Sequence, residues 1–256
     1  MDIQAELISI GNELLSGQTL NTHGRDLGQA LQNIGLRLSR DTTIPDDIPI
    51  IGHTIEEALT RVDLVFVSGG LGPTIDDITR DALAALFNRK IVLHQPTVDK
   101  METWFANKGK KMSLAATRQA QVLEGAAVLT NSVGLAPGQR IETEDEKTVF
   151  VLPGPPREFN AILSEEIIPW LNVRFADIKP LIVRFVRTEG IGESDIVTIL
   201  ENDKFRPADV DLGFYPGQGR VKIRLSSTAD NEQKVLAAQE RLQQLLGEFI
   251  GSDPTE

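Results

Sequence analysis

The stretch DLVFVSGG, Asp63 to Gly70, constrains the fold most. Leu64 to Val67 is apolar without a break, so it lacks the alternation of a strand with one wet face. A strand of that kind is covered on both sides, as in the centre of a parallel sheet flanked by helices. The segments before it agree. AELISI (Ala5 to Ile10) reads as a strand, and Asn21 to Ile34 as a helix with Leu27, Ala30, Leu31 and Ile34 on one side. GLRLSRDTTI reads as a second strand, and Asp46 to Val62 as a helix that turns Ile50, Ile51, Ile55 and Leu59 to the core. Asp76 to Phe87 reads as the next helix, with acids in its first turn where the helix dipole favours them. The β-α-β-α-β-α order predicts an α/β domain on a mainly parallel sheet.

Further along, PTVDKMETWFANKGKKM predicts a helix ending near Gly109, and residues 115–122 a second helical stretch. RIETEDEKTVFVLPG predicts a hairpin turning at Glu144 to Lys147. PREFNAILSEEIIPWL predicts a helix with Phe159, Ile162, Leu163 and Ile167 as its apolar stripe. The pattern changes between Asn172 and Pro180, so the expected domains are residues 1–172 and a small α+β domain over 173–256. That second part reads as the strand PLIVRFVRTEG, the helix ESDIVTILEN, two strands joined at PGQG, and a helix from Asp230 to Ile250. The tail GSDPTE is expected to fray.

Composition excludes several classes. With 256 residues, 41% of them hydrophobic, the chain can bury a sizeable core, yet no apolar run approaches the roughly 20 residues that span a bilayer. The start MDIQAELISIG has an early acid, no basic region and no small-residue cleavage site, so it reads as a first strand and not as a signal peptide. There are no cysteines, which removes disulfides, thiolate zinc sites and cysteine nucleophiles and accords with an expected cytoplasmic location. A net charge of −11 argues against a nucleic-acid surface, which needs Lys and Arg to neutralise phosphates. The expected partners therefore exclude nucleic acid and membrane, and any phosphate ligand is held locally.

In open α/β sheets ligands sit beyond the carboxyl ends of the strands, and SGGLGPT stands there. Gly69, Gly70 and Gly72 permit close backbone approach, and the helix beyond offers unpaired N–H groups. There is no Gly-Lys-Ser/Thr and no G-x-G-x-x-G, so this is neither of the familiar phosphate loops. A tight turn with Asp76 and Asp77 as caps of the next helix is the plain alternative. Two further acidic turns leave strands of the same sheet: GNELLSGQTLN, with Glu13 and Ser16 between Gly11 and Gly17, and TTIPDD, with Asp46 and Asp47. Carboxylates gathered beside a phosphate loop are the usual holders of a Mg²⁺-type ion that bridges phosphate oxygens. His23, His53 and His94 show no metal-ligand spacing, although His23 follows the first turn closely enough to touch a substrate. The cluster NKGKKM is explained by the end of a helix, with phosphate steering as the alternative, and Trp104 and Trp170 by packing in preference to base stacking. LPGPPREF serves either as a rigid turn or as a cover over the ligand, with Arg157 and Glu158 near the mouth.

Four motifs in one order, GNELLSGQTLNT, VSGGLGPTIDDITRDALA, NSVGLAPG and LPGPPREF, resemble the N-terminal domain of the CinA (competence-damage-inducible) family across residues 3–172. EGIGESDI and YPGQGRVKIRL resemble the small domain that follows it. The resemblance implies a three-layer α/β/α domain of the molybdopterin-binding type, shared with molybdopterin adenylyltransferases. It implies a hydrolase that splits ADP-ribose into AMP and ribose 5-phosphate with a divalent metal, Co²⁺, Mg²⁺ or Mn²⁺. Adenylyl transfer to molybdopterin, or non-catalytic binding of a pterin or nucleotide, is the alternative. The family's functional aspartates match Asp46 and Asp77, with Asp76 and Glu13 as supporting metal or orienting groups. The implied ligand-binding positions are Gly11, Asn12, Glu13, Ser16 and Asn21; Ser68, Gly69, Gly70, Gly72, Pro73 and Thr74; and Gly154, Pro155 and Glu158, with the amides of Gly69 to Thr74 on the diphosphate. The chain departs from the pattern at His23, where an asparagine is usual, and at IPDD, where Val-Gly-Asp is more common. Full-length members continue into an amidohydrolase domain, whose deamidase activity is not expected of these 256 residues. A homo-oligomer, most simply a dimer, is also a family-level expectation.

Overall fold

The structure is a computed structural model that describes residues 3–217 and 219–251. The chain separates into two compact units, residues 1–176 and 177–256. The first is built on a six-stranded sheet. Its strands are β1 (Gln4–Ile10), β2 (Arg37–Ile44), β3 (Leu64–Ser68), β6 (Ala127–Leu129), β7 (Gly138–Glu142) and β8 (Thr148–Leu152), in the order β2-β1-β3-β8-β7-β6. β2, β1, β3 and β8 run parallel, β7 runs antiparallel to both of its neighbours, and β6 therefore points the same way as β8. Two short strands, β4 (Ile91–Leu93) and β5 (Gln121–Leu123), pair separately.

Every residue of β3 and β8 is buried, as the unbroken apolar run requires. The alternation of side chains across a strand then divides the core in two. Val65, Val67, Val149 and Val151 meet Ile51, Ile55 and Ala58 of α3 (Ile48–Arg61) and Ala82 and Leu83 of α4 (Thr79–Leu86). On the other face Phe66 stacks on Phe150 at 4.9 Å, and Trp170 meets Phe150 edge-on at 5.6 Å. That side carries α2 (His23–Asn33) and the stretch from α7 (Pro156–Ile162) through one π-helical turn (Leu163–Ile167) into α8 (Ile168–Arg174). Pro169 lacks the N–H that a regular helix needs there, which accords with the widened turn just before it. The result is a three-layer α/β/α domain with a mostly parallel sheet. The remaining helices of this unit are α1 (Asn12–Leu15), α5 (Gln95–Asn107) and α6 (Leu114–Thr117).

The second unit is a three-stranded antiparallel sheet, order β10-β11-β9, from β9 (Leu181–Glu189), β10 (Asp211–Gly217) and β11 (Arg220–Thr228). Its core joins Val186, Val221, Ile223 and Leu225 to Ile196 and Leu200 of α9 (Glu193–Asn202) and Val235, Ala238 and Leu242 of α10 (Glu232–Leu246). No described helix of either unit is long and apolar enough to cross a membrane.

Several elements differ from the sequence-based expectation. The helix predicted from Asp76 starts at Thr79, because the Asp77 carboxylate folds back onto the preceding loop. Ile50 is 41% exposed, since the buried stripe of α3 runs through Ile51, Ile55 and Ala58. The stretch 115–122 is helical only to Ala120, after which Gln121 to Leu123 pair with β4. Trp104 is 40% exposed with the Lys108 ammonium over its ring, so it is less a packing residue than its helix suggests. The last helix is shorter than Asp230 to Ile250, with single tight turns at both ends. Gln218 of the PGQG joint and residues 252–256 of the tail lie outside the described residues.

Removing the ring of Phe66 opens the centre of one core layer beneath Phe150. Phe66→Ala is expected to lower unfolding free energy by about 3–5 kcal/mol, read as a shift of the urea midpoint without a change in slope.

Candidate functional site

Because β1, β3 and β8 are parallel neighbours, their carboxyl ends open onto one edge of the sheet. The three following loops meet there around a cavity of about 430 Å³. Of the sequence-predicted residues, Asp46, Asp76 and Asp77 line it, together with Gly11, Glu13, Asn21, Ser68, Gly69, Gly70, Gly72, Gly154, Pro155 and Glu158. Asn12, Ser16, Pro73 and Thr74 do not form its walls. The Ser16 hydroxyl bonds the Glu13 carbonyl, and the Asn12 N–H donates to Asp46 Oδ2 at 2.9 Å. Leu71, Thr22, His23, Gln119 and Pro156 are among the further lining residues outside the predicted set.

The glycine loop after β3 has a built-in shape. Gly69 and Gly70 take φ of 104° and 65°, and a Cβ on either would collide, at 2.3 Å from the Ile10 carbonyl oxygen and 2.1 Å from Thr79 Oγ1. Beneath the loop lies Arg80, only 2% exposed, whose guanidinium donates to the carbonyls of Leu71 (2.9 Å) and Gly72 (2.8 Å). Burial pulls its pKa down to about 10, which leaves it charged at neutral pH. Thr79 Oγ1 donates to the Gly69 carbonyl at 2.9 Å. The carbonyls of Gly69, Leu71 and Gly72 are thus satisfied by Thr79 and Arg80, as an anion-binding loop requires.

The amides correct the expectation that Gly69 to Thr74 all face a phosphate. Gly69 N–H donates to the Leu152 carbonyl, Pro73 has none, and Gly72 and Thr74 N–H both donate to Asp77 at 2.7 Å. The N–H groups of Gly70 and Leu71 remain without partners among the described residues. Asp77 is therefore neither a cap of α4 nor a free carboxylate. It closes the loop on itself, a role that a helix-start pattern in sequence does not signal. Asp47 is the true N-cap of α3, accepting from Ile50 N–H at 3.0 Å.

Two other quoted motifs meet at the mouth. Asn131 accepts from the N–H groups of Val133 and Gly134, and its Nδ2 donates to Glu158 Oε2 at 2.6 Å and to the Ala136 carbonyl at 2.7 Å. A Cβ at Gly134 would sit 2.0 Å from that Glu158 oxygen. NSVGLAPG and LPGPPREF are thereby one structure, with Gly154 and Pro155 leading into α7.

The cavity is electrostatically one-sided. Glu13, Asp46, Asp76, Asp77 and Glu158 line it, and no Lys or Arg does so among the described residues. No three His, Cys, Asp or Glu side chains of the described residues converge into a ready-made metal cage. The donor set suits a hard cation that arrives with a phosphate and needs only one or two carboxylates, with water and phosphate oxygens completing its shell.

On the inner wall stands a polar chain. Asn21 Nδ2 donates to Ser9 Oγ at 3.0 Å, Ser68 Oγ lies 3.4 Å from Ser9 Oγ, and His23 Nδ1 lies 2.9 Å from Ser68 Oγ. Burial lowers the pKa of His23, partly opposed by Asp26 and the Gly154 backbone, so the ring is neutral at pH 7.

Comparison with known proteins agrees with this architecture. Residues 6–173 match the family described as the probable molybdopterin binding domain, and residues 183–253 the damage-inducible protein CinA KH domain. A competence-damage inducible protein of Caldicellulosiruptor saccharolyticus is 37% identical over 252 residues, covering 97% of this chain and 61% of its own. A CinA-like protein of Kosmotoga olearia is 33% identical over 252 residues, covering 97% and 60%. The chain thus spans about three fifths of the length of these relatives. Among solved structures, the CinA protein of Thermoplasma acidophilum is 31% identical with a TM-score of 0.59, covering 64% of this chain and 98% of its own.

Two outcomes follow from the site's internal bonds. Arg80→Met strands two loop carbonyls and is expected to cost about 2–3 kcal/mol, with faster amide exchange confined first to the loop after β3. For His23, the unfolded chain takes up a proton near 6.5 whereas the folded one does so only at lower pH. Stability is therefore full above that value and falls as pH drops below it. His23→Asn should flatten the fall, seen as a smaller loss of thermal midpoint between about pH 7.5 and 5.5.

Proposed function

The chain belongs to the CinA family, with a first unit of the molybdopterin-binding domain type, and on that premise we propose that its cavity holds a phosphate-bearing pterin or nucleotide and acts at a phosphoanhydride. The observation that carries this reading is the pairing of a carbonyl-satisfied glycine loop with five carboxylates and no cation on the wall. Gly70 and Leu71 N–H would take phosphate oxygens, while Arg80 keeps carbonyl oxygens from facing them. The carboxylates would repel a bare phosphate, so the ligand enters with a divalent cation, Co²⁺, Mg²⁺ or Mn²⁺, held by one or two of Asp77, Asp76 and Asp46. When bound, such an ion supplies charge neutralisation and a more acidic water. Asp46, anchored by the Asn12 N–H, and Glu13 would orient the reacting group from the opposite wall.

Two reactions share this machinery. The match of residues 6–173 to the molybdopterin-binding family, together with the Pro45-Asp46 turn, supports a molybdopterin-type phosphate as ligand, with adenylyl transfer as the chemistry. The pairing of that unit with a CinA-type KH unit supports hydrolysis of ADP-ribose to AMP and ribose 5-phosphate, the reaction associated with the family. A cytoplasmic homo-oligomer is the proposed form in either case.

Incubating the purified protein with ADP-ribose, and in parallel with molybdopterin and ATP, each with one of the three cations, separates the two by chromatography. AMP from the first supports the hydrolase, and an adenylylated pterin from the second supports the transferase. If calorimetry detects no binding of either ligand, the reading falls. Asp77→Asn is expected to lower turnover by at least about 100-fold with a modest loss of stability, since one amide can still be accepted. Asp76→Asn should leave the fold intact and lower turnover less.

A further inference from the structure

The sheet of the second unit has one face covered by its own helices and one face open. α9 and α10 pack on Val186, Val221, Ile223 and Leu225, so alternation turns Phe185, Tyr215, Arg220, Lys222 and Arg224 to the other side. The register sets Tyr215 directly across from Lys222, and Gly213 and Phe185 on either side of Arg224. Two aromatic rings stand in the open there, Phe185 at 41% and Tyr215 at 48% exposure. Lys222 Nζ lies 3.7 Å from the centroid of the Phe185 ring and occupies its face. Tyr215 leans back over Gly213, where a Cβ would stand 3.3 Å from its hydroxyl and 3.5 Å from Arg224 Nε. Tyr215 and Lys222 also line a cavity of about 320 Å³, together with Arg187, Glu189 and Arg220.

The charges of this face are not balanced from within. Nearby in the unit Arg220 pairs with Glu189 at 3.1 Å, Lys234 with Asp209, and Arg241 with Asp203. Lys222 and Arg224 have no acidic partner and no hydrogen bond among the described residues. They stand two residues apart on the central strand, roughly 7 Å along it, in a chain whose net charge is −11. Two neighbouring cations left unpaired where acids are in excess suit an anion from outside the chain. Asp211, across from Ser226, bounds the stripe beyond Arg224, and Glu189, across from Arg220, bounds it beyond Lys222. The anion is therefore short. We propose that this face binds a nucleoside polyphosphate, its base stacked on Tyr215 and its phosphates held by Lys222 and Arg224. The site shares no residue with the lining of the first unit's cavity, so the inference is independent of the phosphoanhydride reading.

Tyr215 is the sole tyrosine of the chain, so it reports on the site without a variant. The full chain, labelled with ring-¹³C tyrosine, is titrated with ATP in EDTA, which withholds the divalent cation that the first unit's cavity is proposed to need. ATP is expected to move the Tyr215 ring protons upfield, as a base stacked over the ring does. Tripolyphosphate is expected to displace ATP without producing that shift, and adenosine to leave the ring protons in place. In calorimetry, Arg224→Gln should weaken ATP binding about 10-fold. Tyr215→Leu should weaken it by about as much and leave tripolyphosphate unchanged. No binding of ATP, binding with the Tyr215 signals unmoved, or equal affinity for Arg224→Gln overturns the inference. A short oligothymidylate that binds this face about 100-fold more tightly than ATP also overturns it, since the ligand is then a strand. None of these outcomes bears on the phosphoanhydride reading, which is tested with the cation present.

Discussion

The arrangement of the candidate site depends on one buried cation. Arg80, at the start of α4, sends its guanidinium under the glycine loop and takes the carbonyls of Leu71 and Gly72. In the peptide that carries the Gly70 N–H, the Gly69 carbonyl is held by Thr79 Oγ1, and Arg80 fixes the two peptides that follow Leu71 and Gly72. Asp77 finishes the clamp from outside by accepting from Gly72 and Thr74, and Thr79 holds Gly69. Three side-chain anchors, at positions 77, 79 and 80, thus hold the conformation of a loop that carries no charged side chain itself.

That clamp accounts for how an acidic protein would offer the proposed anion site. The walls carry five carboxylates and, among the described residues, no basic side chain, so their field alone would exclude phosphate. Two N–H groups with satisfied surroundings provide a local exception, and the carboxylates become useful if a divalent ion lies between them and the ligand. The same logic accounts for the neutral histidine on the inner wall. A protonated ring buried beside Phe159 would be costly.

Much of the architecture was legible in the chain because hydrophobic patterning reports burial directly. Leu64 to Val67 announced a strand covered on both faces, and the spacing of Leu27 and Leu31, or of Ile51 and Ile55, announced the helices that cover it. The pattern failed where a side chain's partner is remote or its role is not burial. Ile50 belongs to the apolar register by type but stands one position off the stripe. Residues 121–123 pair with β4 nearly thirty residues earlier, a contact no local window contains. Asp77 looked like a helix acid because its true partners, two amides in a loop, have no sequence signature.

By itself, the sequence determined that two of its acidic turns and one glycine turn leave parallel strands at the same end, since strand polarity and connection order leave no other choice. It determined also that cysteine chemistry plays no part. Only the tertiary structure decided which groups in those turns remain available. Hydrogen-bond capacity is shared out among neighbours in space: Gly72 and Thr74 amides went to Asp77, the Asn12 amide to Asp46, and the carbonyls to Arg80. The N–H groups of Gly70 and Leu71, two residues on the cavity wall, are what that allocation left without partners among the described residues.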